Sequence, residues 1–284
     1  MIYVHKVGSV YHKEGEVLDV KAAWKAVAPK MIRRTDRFIQ LALLGAHKAV
    51  GELTLSKNCA IYMASGQGNL AVFKRLRDQR YIHKQPPKPV DFINSLSNTS
   101  GFYVAQFFGI TGKNLNVSRL GFVAETTLLL AQNDLELGRE EEILLGGVDE
   151  LQTPVDFTRR TLGLCDERQL GEGSNWMLLS AHKDSALASL DVEKKMLDFD
   201  TLLHYISIHQ GSGYIAFGQR IDSDERESIL QKTSTQRELF EATDGFYETA
   251  SLQLLNDFIE KAWGNLLFIE RYKDKYRVIK VDTF

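Results

Sequence analysis

Apolar positions along the chain follow two periods that take turns. "MIYVHKVGSVY" opens with apolar and polar residues on alternate sides, as in a strand. In "RRTDRFIQLALLGAHKAVGE" the apolar residues Phe38, Leu41, Ala42, Ala46 and Ala49 take the i, i+3, i+4 spacing of a helix with one buried face. Thr35 and Asp36 precede it as candidate N-caps. "NCAIYMA" predicts a compact strand ended by "SGQG", and "NLAVFKRLRDQRYI" returns to the helical period until the prolines of "KQPPKPVD" stop it. "FINSLSNTSGFYVAQFFGI" predicts a loop and then a helix turning Phe102, Val104, Ala105, Phe107 and Phe108 inward.

"NLNVS" is a short strand, and a helix from about Gly121 to Leu137 follows it, charged only at Glu125, Asp134 and Glu136. A helix apolar nearly all round is a central, buried one. "EEILLGGVDEL" predicts a buried strand of the parallel type ending in a turn, and "GEGSNWMLLSA" another strand. "LLHYISIHQGSGYIAFG" is expected to form a pair of strands, "DGFYETASLQLLNDFIEKAW" a helix ended by Gly264, and "NLLFIERYKDKYRVIKV" a hairpin turned at "KDK". This alternation predicts a mainly parallel sheet with helices on both faces, less regular in its second half. No linker is long or flexible enough to divide residues 1–284 into separate domains.

Composition narrows the function. An apolar fraction of 44% with 25% charged residues is that of an ordinary globular protein, and 35 basic against 37 acidic residues give a net charge of −2, so nothing draws nucleic acid or an anionic membrane to the chain as a whole. The basic stretch "KRLRDQRYIHK" is expected to be a solvated helix face. Two cysteines, Cys59 and Cys165, make no disulfide framework or metal spacing, the first residues do not form a signal peptide, and no apolar run spans a bilayer. A cytoplasmic protein without membrane insertion, metal or cofactor is the expectation.

The candidate motifs are weak singly. Gly66, Gly68 and Ala71 in "SGQGNLA" match the spacing of a pyrophosphate-binding turn, but the strand is not the first, and "HKQPPKP" offers no acid for a ribose. No GxSxG elbow is present, and His204 and His209, in apparent strands, would point to opposite faces.

"LLGGVDEL" and "GEGSNWMLLS", with the buried helix before them and "RRTDRFIQLALLGAHKAV" earlier, resemble the β-ketoacyl synthase family, in order over about Arg33 to Ser180. The resemblance implies an α/β thiolase-like αβαβα sandwich, here a single domain with an N-terminal half (1–190) and an abbreviated C-terminal half (191–284). It also implies a nucleophilic cysteine at the start of the buried helix, where the helix dipole and free N–H groups lower a thiol pKa and hold an oxyanion. Counting back from Gly146 and Gly147 puts that position at Gly121, or at Ser118 with a short insertion, and neither has a thiol. Of the family's two histidines, the one near a GH turn falls at Phe246, and no HGT loop exists. These departures are similar to those of chain-length-factor subunits, especially the short ones of aryl polyene pathways. Such a subunit pairs with an active ketosynthase, or with itself, visits an acyl carrier protein transiently, and binds no nucleic acid. The implied partner surface is Asn114, Leu115, Asn116, Val117 and Ser118 with Phe102 and Phe107. Glu125, one turn after Gly121, either satisfies the helix N-terminus or points into the vacated pocket. Two alternatives stay open: an active acyltransferase using Ser118 or Cys165, the latter flanked by Asp166 and Glu167, and a nucleotide-binding protein built on Gly66 and Gly68.

Overall fold

The computed structural model describes residues 1–16, 18–29, 33–165, 167–241 and 244–284. In chain order its elements are β1 (Ile2–Lys13), α1 (Val20–Val27), α2 (Arg37–Val50), β2 (Ala60–Ser65), α3 (Leu70–Arg77), α4 (Pro89–Asn94), α5 (Thr99–Phe108), β3 (Asn114–Ser118), α6 (Val123–Glu136), β4 (Glu142–Asp149), α7 (Val155–Leu162) and β5 (Gly171–Ser180). There follow β6 (Ala188–Val192), α8 (Phe199–Ile208), β7 (Tyr214–Phe217), α9 (Ser223–Thr233), β8 (Glu238–Leu239), α10 (Ala250–Lys261), β9 (Asn265–Tyr272) and β10 (Lys275–Thr283).

The strands form one ten-stranded sheet in the order β3-β2-β4-β5-β1-β6-β10-β9-β7-β8. Reading outward from the β1–β6 junction gives the same succession twice, so β1 to β5 correspond one by one to β6 to β10. The second half therefore keeps every strand of the first. Its economy is in short strands and connections: β8 has two residues, and β9 turns straight into β10 where α7 separates β4 from β5. The expected boundary at 190/191 falls within β6.

A mainly parallel sheet was the expectation, and the structure corrects it. Among the described residues, β2–β3, β2–β4, β7–β8 and β7–β9 are parallel, while β1–β5, β4–β5, β1–β6, β6–β10 and β9–β10 are antiparallel. A tight turn such as that between Tyr272 and Lys275 can only join antiparallel neighbours.

Strand alternation builds the layers. Ala60 and Tyr62 of β2, Ile143 and Leu145 of β4, Met177 and Leu179 of β5, and Leu266 and Phe268 of β9 all face one core that contains α6 and α10. The intervening residues face outward: Ile61, Met63, Leu144 and Trp176 pack on α1, α2 and α5, whereas Ile215, Phe217, Leu267 and Ile269 pack on α8 and α9. The result is a five-layer αβαβα arrangement with α6 and α10 in the middle. Asp36 is the cap of α2, accepting from Ile39 N at 3.1 Å.

Two local expectations fail. The predicted strand over "LLHYISIH" is helix α8, capped by Asp198 and burying Leu202, Tyr205 and Ile206, because a short apolar run does not by itself separate the two periods. His204 and His209 thus belong to an outer helix and its C-cap. Phe102 does not turn inward: it is 57% exposed while Val104 is fully buried. Two positions apart on a helix are about 200° apart around it, so the two cannot share a face. Among the described residues no helix is long and apolar enough to cross a membrane.

Candidate functional site

The turn between β3 and α6 is strained. Gly121 has φ +67° and Phe122, a buried aromatic residue, has φ +53°. Two successive left-handed residues swing the chain from the sheet edge into the central layer, and a non-glycine residue in that region is uncommon. The N-terminus of α6 therefore faces a small interior space bounded by the loop after β7, the segment before α10 and the end of β9.

This space is nearly full. A Cβ on Gly121 would overlap the Tyr272 ring. The Phe122 and Tyr272 rings meet edge to face, their centroids 6.1 Å apart. Between Tyr272 and Phe246 lies Arg220, whose guanidinium carbon is 5.2 Å from the first ring centroid and 4.8 Å from the second. Arg220 ion-pairs with Glu248, and Glu248 accepts the Gly121 N–H at 2.7 Å. A remnant cavity of about 10 Å³ is left, room for at most one water molecule. Gly121 and Phe246, chosen from the sequence, are thus brought to one pocket, together with Glu125. Neither a cysteine nor a histidine lines it. Ser118 is exposed at the end of β3, and Cys165 is exposed on a distant loop; Asp166 beside it lies outside the described residues.

The pocket is acidic and buried. Burial pushes Glu125 above the ordinary carboxylate range, reinforced by Glu248, and Glu125 Oε1 has no hydrogen-bond partner. Burial pushes Glu270 well above that range too, with Glu125 adding to the effect. Asp149 is raised to about 7 by burial and by Glu248. Its carboxylate ties three elements: Oδ1 accepts from Gly66 N at 2.8 Å and Ser65 Oγ at 3.1 Å, and Oδ2 from Thr249 N at 2.9 Å, just before α10.

Those bonds explain the "SGQG" turn. The Gly66 N–H is already taken by a carboxylate, Gly68 N donates to Ser65 Oγ at 2.9 Å, and a Cβ at Gly66 would overlap the Glu248 side chain. The glycines serve a tight turn pressed on the central layer, and the N–H groups of both are already bonded within it. Millimolar NAD or ATP is expected to leave the thermal midpoint unchanged; a rise of several degrees would reinstate nucleotide binding.

His209 caps α8, its Nδ1 2.9 Å from Tyr205 O and its ring stacked on Tyr205, far from the pocket on the outer layer. Among the described residues no cluster of three or more His, Cys, Asp or Glu side chains could hold a metal ion. No sequence signal marks Tyr272, Arg220, Glu248 or Glu270, because each lies in an unremarkable strand end or loop. Only Asp149, an acid closing a buried apolar strand, carried a signal.

Of the proposed partner surface, β3 is the last strand of the sheet and pairs only with β2, leaving one edge open. Leu115, Asn116 and Val117 are half-buried and Asn114 and Ser118 exposed. Phe107 packs on Trp24, with ring centroids 5.0 Å apart, and belongs mostly to the outer core; Phe102 stands out beside Phe92, Ile93 and Leu96 as exposed apolar surface.

A scan against protein-family models finds no match, and a search of curated proteins finds none either. Solved structures do match over the whole length. The ishigamide ketosynthase/chain length factor aligns over 100% of this chain and 99% of its own, with TM-score 0.77 and 14% identity. A type II polyketide acyl-carrier protein complex with its ketosynthase, AntDE:AntF, gives TM-score 0.70 and 13% identity over 100% and 99%. The complex of the ketosynthase ApeO with its chain length factor ApeC from Xenorhabdus doucetiae gives 0.54 and 13% over 98% of each chain. At such identities the likeness speaks for the fold, and this chain has the thiolase-like fold of the ketosynthases.

Proposed function

We propose that the chain is a ketosynthase-like subunit without a catalytic set of its own, acting as a chain-length-factor-like partner of an active ketosynthase. The pair would elongate fatty acid or polyketide chains, of the aryl polyene type, on an acyl carrier protein. One observation carries this reading: at the head of the central helix the nucleophile position is Gly121, and the Tyr272 ring fills the space a side chain would need. Acyl transfer through a thiolate requires sulfur, an imidazole within reach and N–H groups free to hold an oxyanion. Here Phe246 stands at the expected histidine position and Glu248 occupies the Gly121 N–H.

Support for pairing comes from the open edge of β3, residues Asn114 to Ser118, next to exposed Phe102. An unpaired edge beside apolar side chains is a natural site for strand addition by a second subunit. The full-length match to a ketosynthase/chain length factor and to a ketosynthase bound to its chain length factor agrees with that role. Co-expression with a ketosynthase followed by size-exclusion chromatography tests it. A stable 1:1 complex is expected, with Val117→Lys weakening it about tenfold or more, since a charge would be buried at the strand edge. A monomer that ignores the ketosynthase would remove the proposal.

A further inference from the structure

Glu248 lies where a bound anion would lie. It stands in the segment before α10 with its side chain 3% exposed, and its two carboxylate oxygens serve two different partners. Oε2 accepts the Gly121 N–H at 2.7 Å, in the turn that leads into the positive end of the α6 dipole, and Oε1 is ion-paired with Arg220. A backbone N–H at a helix head and a guanidinium are donors suited to a carboxylate.

The surroundings fix this arrangement. Thr249 N, in the next residue, is bonded to Asp149 Oδ2 at 2.9 Å, and the stem of Glu248 lies so close to Gly66 that a Cβ there would overlap its Cβ and Cγ. Arg220 is held between the Phe246 and Tyr272 rings. The neighbouring carboxyls leave the charge to Glu248: burial raises Glu125, Glu270 and Asp149, and among the described residues Glu248 is the carboxylate in ion-pair contact with Arg220. Glu125, 1% exposed and lining the same space, keeps Oε1 without a hydrogen-bond partner. A carboxyl held neutral has a proton to donate, so a third donor faces the space.

We propose that the head of α6 is a carboxylate-binding site closed by the chain's own Glu248, which acts as an internal ligand and keeps outside carboxylates away. The ligand class that fits the site is a small aliphatic carboxylate. Beyond Cβ the Glu248 side chain is a CH2–COO⁻ group, which is acetate less one hydrogen. Cutting it back to alanine leaves a space of the size of acetate, with the Gly121 N–H and Arg220 both released to hold it. The occupant belongs to the chain itself, so this holds whether or not the chain pairs with a ketosynthase.

The test is chemical rescue of Glu248→Ala, read by thermal unfolding in sodium acetate and in sodium chloride of equal ionic strength. In chloride the variant should melt several degrees below the parent, since Arg220 is left buried without its partner. Acetate at about ten times its dissociation constant should raise the variant's midpoint by about 3–5 °C over chloride and leave the parent's where it is. Acetamide, of the same shape without the charge, and butyrate, too long for the space, should do nothing. Adding Arg220→Ala should abolish the acetate effect. Glu248→Gln keeps the volume filled, so it should fold and ignore acetate. Should Glu248→Ala not fold in chloride, the yield of folded protein on refolding in acetate against chloride reads the same rescue. No acetate effect beyond chloride, an equal effect on the parent, or an effect that survives the loss of Arg220 would each overturn the internal ligand. So would a Glu248→Ala variant as stable as the parent.

Discussion

Replacing Gly121 by alanine is expected to cost the fold roughly 2–5 kcal/mol. Two effects add. The backbone at φ +67° is open to glycine and strained for any other residue, and the new methyl would overlap the Tyr272 ring in a space with no slack. For a chain of this size each kcal/mol is worth about 2–4 °C, so thermal unfolding should fall by several degrees or more. Tyr272→Ala alone opens a cavity and is also expected to destabilise. Combining the two should cost about 1–3 kcal/mol less than the sum, since the methyl then enters the space the ring has left. A neutral Gly121→Ala, or strict additivity, would show that ring and glycine do not compete for one volume. Gly121→Cys, even with Tyr272→Ala, is expected to gain no acyl adduct by mass spectrometry, because no histidine lines the pocket to accept the thiol proton.

This competition was only half legible in the sequence. The buried helix, the strand before it and the glycine turns of β4 and β5 announced themselves through periodicity, because burial on both faces forces near-continuous apolar runs. Gly121 could be placed by counting back from Gly146 and Gly147, and Phe246 only through the resemblance of "TDGFYETASLQLL" to a GH turn. What fills the space beside Gly121 could not. Tyr272 sits at the end of a hairpin strand about 150 residues away in sequence, and its ring reaches the helix head only because the second half of the chain repeats the first and sets β9 against the same central layer. The mixed strand directions were hidden for a related reason. Local pattern reports which face a strand buries, whereas parallel or antiparallel pairing depends on which distant strand arrives beside it. The outer helix α8 looks like a strand in the sequence because its ten residues are too few for the helical period to overrule a run of Leu, Tyr and Ile.

The acidic pocket leads to a second large effect, on stability against pH. Glu125, Glu270 and Asp149 all have raised folded-state pKa values, with burial the first cause in each case. A carboxyl raised on folding is held neutral by the fold, so its contribution is complete below the ordinary unfolded value near 4 and is lost as pH climbs through the folded value. For Asp149, with its value of about 7, that loss runs from about pH 4 to pH 8 and is on the order of 4 kcal/mol. The opposite limb belongs to groups such as Asp134. Burial alone would raise it, but Lys113 Nζ at 2.6 Å and the Tyr62 hydroxyl outweigh that and hold it low. Its contribution is present above its ordinary value and disappears as pH falls below it.

Stability in denaturant should therefore peak in mildly acidic solution and decline by several kcal/mol towards pH 8.5, unlike a protein whose carboxylates are all exposed or paired. Glu125→Gln isolates the cause. Its Oε1 has no hydrogen-bond partner among the described residues, and the amide removes the charge that alkaline pH forces into a buried site. The variant should gain roughly 1–3 kcal/mol over the parent at pH 8.5 and close to nothing at pH 5. Equal pH profiles for parent and variant would mean that Glu125 titrates in contact with water, and the pocket beneath Gly121 would then have to be open enough to admit it.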